Sequence, residues 1–103
     1  MIEIIDNDLS ICEGEECNLL FYFTAKWCGP CQRIKPLLQK ISEGSDASVL
    51  KVYMIDIDEN DEIAKEFKIR SVPTFYLYKK KELIGQTSGS DIKKVQELLK
   101  NMK

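Results

Sequence analysis

Histidine is absent from this 103-residue chain, and that absence removes Cys–His nucleophile pairs and mixed Cys/His zinc sites together. An excess of one charge is missing too. Fifteen basic side chains stand against 17 acidic ones for a net charge of −2, which gives a nucleic-acid role no support. No apolar stretch approaches the ~20 residues that a membrane-spanning helix needs. The opening Met1-Ile2-Glu3-Ile4-Ile5-Asp6 has acidic residues inside a short apolar run and no basic leader, so neither a secretory signal nor a transit peptide is expected and the expected location is cytoplasmic. No repeat, linker or low-complexity segment divides the chain, and residues 1–103 read as one domain. A domain of this size buries a core without help from disulfides or metal, which leaves its four cysteines free for chemistry.

Two of them stand in Trp27-Cys28-Gly29-Pro30-Cys31, where an apolar run stops and a helical pattern starts. A thiol at the first turn of a helix faces unpaired backbone N–H groups and the positive end of the helix dipole, so its thiolate is favoured. A second cysteine one turn later can resolve a mixed disulfide formed at the first. Pro30 suits the entry turn, because its φ is already helical and its missing N–H would lack a partner there anyway.

The rest of the chain reads as strands and helices around that motif. Ile2–Ile5 is a short peripheral strand, followed by cap candidates in Asp6-Asn7-Asp8 and a brief helix over Leu9–Cys12 that Gly14 ends. Leu19–Phe23 is continuously apolar, as in a strand covered on both faces. The helix from Cys28 to Ser42 places Ile34, Leu37, Leu38 and Ile41 on one face, and Pro36 should kink it without ending it. Val49–Ile57 is a third strand, and Asp58–Asp61 opens a short helix that buries Ile63, Ala64 and Phe67. Pro73 precedes the strand Phe75–Tyr78, Lys79–Lys81 makes a solvated basic turn without the usual Asn-Gly, and Glu82–Gln86 returns as an antiparallel edge. After the loop Ser88-Gly89-Ser90, Asp91 caps a final helix running to the end, with Ile92, Val95, Leu98 and Leu99 inward. This order is α/β, with helices covering a sheet.

Trp27-Cys28-Gly29-Pro30-Cys31 with Pro36 five residues on, Val72-Pro73-Thr74 before a strand, and Gly89 before the last helix together resemble the thioredoxin family over nearly the whole chain. The resemblance implies a five-stranded mixed sheet in the order 1-3-2-4-5 flanked by four α-helices. It also implies a cytosolic, monomeric protein-disulfide reductase that maintains redox homeostasis, with no bound cofactor. The redox-active Cys28–Cys31 disulfide would receive electrons from NADPH through a thioredoxin reductase, and the substrates would be disulfide-containing proteins. Residue by residue, Cys28 corresponds to the attacking cysteine and Cys31 to the resolving one. Trp27, Gly29, Pro30 and Pro73 shape the site, with Pro73 in the cis form and Gly-Pro setting the poise between dithiol and disulfide. Trp27, Val72 and Gly89 form the substrate-docking rim, with Ser71 and Ser88 beside it, and the backbone of Val72 pairs with an extended substrate segment.

One position departs from the family. Six residues before the first cysteine, where the family carries a buried aspartate that helps deprotonate the second cysteine, this chain has Tyr22, and Met54 stands where bacterial members have a lysine. A phenol titrating near ~10 is a poor base at neutral pH, so resolution at Cys31 is expected to be slower than usual. Tyr22 also keeps open a redox-incidental binding module, and isomerase or oxidase activity is a second alternative, since CxxC poise decides direction. A four-cysteine zinc site from Cys12, Cys17, Cys28 and Cys31 is disfavoured, because metal would consume the helix-terminal thiol. Cys12 and Cys17 read as a core thiol and an incidental one, with a second disulfide or a regulatory thiol as the other reading.

Overall fold

A computed structural model describes residues 1–102. The chain runs β1 (Ile2–Glu3), β2 (Asn18–Thr24), α1 (Gly29–Gly44), β3 (Leu50–Asp56), α2 (Asp61–Glu66), β4 (Thr74–Lys79), β5 (Glu82–Ser88) and α3 (Ile92–Leu99). The five strands form one sheet in the order β1-β3-β2-β4-β5, as expected. β1, β3 and β2 are parallel to one another, whereas β4 is antiparallel to both β2 and β5.

Every residue of β2 is buried, because the sheet is covered on both faces and side chains alternate between them. Leu20 and Tyr22 point into a core shared with Ile34 and Leu38 of α1, Val95 and Leu98 of α3, and Phe75 and Leu77 of β4. Leu19, Phe21 and Phe23 point the other way, to Tyr53, Ile55 and Ile63, with Phe67 packed against them. α1 continues unbroken through Pro36, whose ring removes one backbone donor but leaves the buried face of Ile34 and Leu38 intact.

The expected four α-helices are three among the described residues. The segment expected as a helix over Leu9–Cys12 is a 3-10 turn, Ser10–Cys12. Asp6 and Asn7 take left-handed backbone and Asp8 Oδ1 accepts the Ser10 N–H at 2.9 Å, so the span before Gly14 is too short for helix propagation, and Ile11 is exposed. Leu37 is 42% exposed rather than inward, because 100° per residue puts it on the flank of the Ile34–Leu38 stripe. β1 stops at Glu3 and β3 occupies only Leu50–Asp56. β5 extends two residues further than expected, to Ser88. α3 ends at Leu99, where Asn101 Nδ2 donates to the Leu98 carbonyl, and Lys103 lies outside the described residues.

The cap of α2 was not legible in its own neighbourhood. Asn60 occupies the cap position but makes no capping bond. Instead Asn7 Oδ1 accepts from the N–H groups of Glu62 and Ile63, at 3.0 and 3.2 Å. Asn60 is buried and interlocked with the N-terminal segment, accepting from Asn7 N at 2.8 Å and donating to the carbonyls of Ile4 and Asp56. Two asparagines thus fasten the chain start to the end of β3 and the start of α2.

Two outcomes follow. Asn7→Ala removes the acceptor for two helix-terminal donors, and urea unfolding should show a loss of about 1–2 kcal/mol, whereas Asn7→Asp, which keeps the oxygen, should lose markedly less. At the β4–β5 turn, Lys80 and Lys81 both hold positive φ, 49° and 69°, the backbone of a type I′ hairpin without its usual residues. Replacing the pair by Asn-Gly should stabilise the fold by about 1 kcal/mol and raise Tm by about 4–8 °C. An unchanged Tm would show that the lysines hold this turn without strain.

Candidate active site

The carboxyl end of β2 delivers the chain through Ala25-Lys26-Trp27 to the start of α1, which is where sheets of this kind present their sites. Cys28 is the N-cap of α1, and Pro30 lies in the first turn. The Cys28 and Cys31 sulfurs are joined in a disulfide, with Cα atoms 5.3 Å apart. Cys28 Sγ also accepts the Cys31 N–H at 3.2 Å, so it occupies the place that a capping oxygen fills in other helices. The same backbone donor and the dipole behind it favour a thiolate there once the bond is reduced. The two cysteines are not equally reachable: Cys28 retains 5% exposure and Cys31 none.

Opposite the disulfide stands the segment before β4. The Val72–Pro73 peptide bond is cis, and the Val72 carbonyl oxygen lies 3.7 Å from Cys28 Sγ. Val72 also packs, with Ile57, against the small cluster of Ala25, Cys28 and Cys31. Gly89, at φ 96°, donates its N–H to the Pro73 carbonyl at 2.9 Å, which brings the loop after β5 against the same segment. A side chain at Gly89 would have to adopt that left-handed backbone. Val72, Pro73 and Gly89 therefore assemble as one wall of the site, and Gly29 and Pro30 are exposed beside it.

Trp27 is 69% exposed, which rules out plain core packing for its ring. Its indole N–H donates to Asp58 Oδ2 at 2.9 Å, and the exposed Lys26–Glu59 pair lies alongside. Asp58 was read from the sequence as part of a helix start. Its function here is to hold the ring at the surface, and only the acidic ending of β3 hinted at it. Gln32, which carries no signal in the sequence pattern, donates its Nε2–H to the Ala25 carbonyl at 2.9 Å and closes the loop onto the first turn of α1.

Below the disulfide, Tyr22 is wholly buried and stacks on Phe75, ring centroids 5.4 Å apart. Its hydroxyl donates to the Cys31 carbonyl oxygen at 2.7 Å. Burial pushes the phenol above its ordinary pKa, with the neighbouring Thr24 acting in the opposite direction. Thr24 Oγ1 is itself buried without a well-formed hydrogen bond. At neutral pH Tyr22 is a committed donor.

Cys12 and Cys17 sit at the other end of β2. Both belong to the cluster on the α2 face, around Tyr53, and both remain unpaired. Burial raises both thiols above their ordinary pKa. The seven residues of β2 separate Cys17 from the Cys28–Cys31 end by about 20 Å, and among the described residues no cluster of metal-ligating side chains forms.

The thioredoxin family profile matches residues 7–103. A thioredoxin of Malassezia sympodialis is 40% identical over 83 residues, covering 81% of this chain and 79% of its own. A thioredoxin of the sponge Geodia cydonium is 35% identical over 99 residues, covering 95% and 92%. A solved structure of reduced Schistosoma mansoni thioredoxin superposes with a TM-score of 0.89 at 32% identity, over 99% of this chain and 97% of that one. With the CxxC disulfide at a helix start, a cis-proline wall opposite it and this sheet order, the chain belongs to the thioredoxin family.

Proposed function

We propose that the protein is a protein-disulfide reductase in which Cys28 attacks and Cys31 resolves. The observation that carries this reading is the Cys28–Cys31 disulfide at the start of α1, with the Val72 carbonyl facing Cys28 Sγ. In the reduced protein the Cys28 thiolate, stabilised by the Cys31 N–H, attacks one sulfur of a substrate disulfide. A Cys28–substrate bond forms, and the other substrate sulfur leaves as a thiolate that takes a proton from water. Cys31 then attacks Cys28 Sγ. The internal disulfide closes and the second substrate sulfur departs, so one pair of electrons has passed from the protein dithiol to the substrate disulfide.

Recognition in this reading uses backbone. An extended segment flanking the substrate disulfide lies along Val72, and Trp27 and Gly89 complete an apolar rim. Such docking reads shape rather than side chains, which suits a reductase with many protein substrates. The oxidised pair is then reduced by a thioredoxin reductase drawing on NADPH. In this reading the protein acts as a monomer in the cytosol, a reducing compartment that would keep Cys12 and Cys17 unpaired.

Tyr22 bears on the second step. Its proton is engaged with the Cys31 carbonyl and its raised pKa keeps it protonated, so it takes no proton from Cys31. That proton passes to water or to the departing sulfur, which makes resolution slower than with a buried carboxylate beneath the same turn. The same feature favours a second reading, a binding module whose redox pair is incidental.

Reductase-coupled reduction of insulin separates the two. The wild-type protein should be active and Cys28→Ser inactive, while Cys31→Ser should accumulate a mixed disulfide visible by mass spectrometry. An inactive wild type would favour the binding module. In stopped-flow measurements of mixed-disulfide resolution, Tyr22→Asp should be faster by about a hundredfold or more, the range for general-base assistance. An unchanged rate would show that no base is missing at this position.

A further inference from the structure

Beyond the wall formed by Val72, Pro73 and Gly89, the surface opens into a polar groove of about 460 Å³ between the Lys68–Ser71 segment and the ends of β4 and β5. Its cationic lining is Lys68, Arg70 and Lys94, and its hydroxyls include Ser71, Thr74 and Ser88. The groove is continuous with the docking wall by covalent structure: Ser71 precedes Val72, Thr74 follows Pro73, and Ser88 precedes Gly89. Thr74 Oγ1 donates to the Ser71 carbonyl at 2.6 Å and Thr74 pairs with Ser88 across the sheet, which ties both sides of the groove together.

The charge of this groove runs against that of the molecule. The chain carries a net −2, yet no carboxylate lines the groove among the described residues. Lys68, Arg70 and Lys94 are exposed, and the ion pairs among the described residues engage other cations, Lys26, Lys51, Lys80 and Lys100. Two acids of α3 stand three residues from Lys94: Asp91, whose Oδ1 accepts the Lys93 N–H as the helix cap, and Glu97, which pairs with Lys100; Glu66 lines a different depression. Three unneutralised cations in a concave, hydroxyl-lined surface concentrate a positive potential where a substrate segment leaves the Val72 wall.

We infer that this groove selects substrates whose scissile disulfide is flanked by an acidic segment, with Lys68, Arg70 and Lys94 as specificity-determining residues. The inference rests on the proposed reductase reading, since it places the acidic segment next to the strand that pairs with Val72. It adds side-chain selectivity to a backbone-based docking mode. Because the cations are solvent-exposed, their effect falls chiefly on the encounter rate and diminishes with salt.

Three disulfides test it on the fully reduced wild-type protein: hydroxyethyl disulfide, and two peptides of equal length that share one cystine and carry three Glu or three Lys on the flank. At low ionic strength the second-order rate constant for the single-turnover reaction should favour the Glu peptide by roughly tenfold, and at ~0.5 M salt the two peptides should converge to within about twofold. The triple variant Lys68→Ala, Arg70→Ala, Lys94→Ala should lose the preference while reducing hydroxyethyl disulfide at the wild-type rate. Equal rates for both peptides in wild type, or an unchanged preference in the triple variant, would overturn the inference. Failure of wild type to reduce even hydroxyethyl disulfide would instead count against the reductase reading.

Discussion

The structure depends on the burial of β2 from both sides. A strand with no solvent face must lie in the middle of a sheet with helices above and below it, and its seven buried residues leave the chain no alternative register, since a shift by one would exchange the two cores. From that single constraint the position of the site follows. The strand ends under α1, the chain turns through Trp27, and the first unpaired N–H groups of α1 emerge beside the antiparallel neighbour β4. The CxxC pair is rigid because both its supports, the helix start and the sheet, are parts of the core.

Within that frame the helix terminus performs two tasks with one atom. Cys28 Sγ is the cap that satisfies the Cys31 N–H, and it is also the sulfur placed toward the Val72 carbonyl. A capping oxygen would satisfy the helix equally well, but sulfur makes the same hydrogen bond support a nucleophile. Asymmetry between the two cysteines then arises from that hydrogen bond to Cys28 Sγ and from burial together. Cys31 lies one turn further in, above Tyr22, where solvent does not reach.

The parts of this arrangement that repeat with a period were legible in the sequence, and the parts made by contact between distant residues were not. The apolar run Leu19–Phe23, the Ile34–Leu38 stripe and the Val95–Leu98 stripe each state their partners through spacing, and the sheet order came from the family resemblance carried by the WCGPC and Val72-Pro73 motifs. The hold of Asn7 on the start of α2 spans 55 residues to Glu62, and no local pattern encodes it. Asp58 as the partner of Trp27 is a meeting of two loops. The 3-10 turn at Ser10–Cys12 was read as a helix because Leu9 and Cys12 have helical spacing, but left-handed backbone at Asp6 and Asn7 took the residues a helix would have needed.

Beneath the site Tyr22 places a hydrogen-bond donor where the family has an acidic acceptor. Tyr22 fills its space by stacking on Phe75 and reaches upward to the Cys31 carbonyl, so the core closes and the first turn of α1 is held. Its bond is made to backbone rather than to sulfur, and it is made as a donor. A carboxylate below the same turn would have been an acceptor, available to the thiol at the cost of burying a charge. The phenol exchanges that reactivity for a satisfied apolar core. In the proposed mechanism the geometry of attack and the proton chemistry of resolution are therefore separable, the first set by the end of β2 and the second by a single side chain under it.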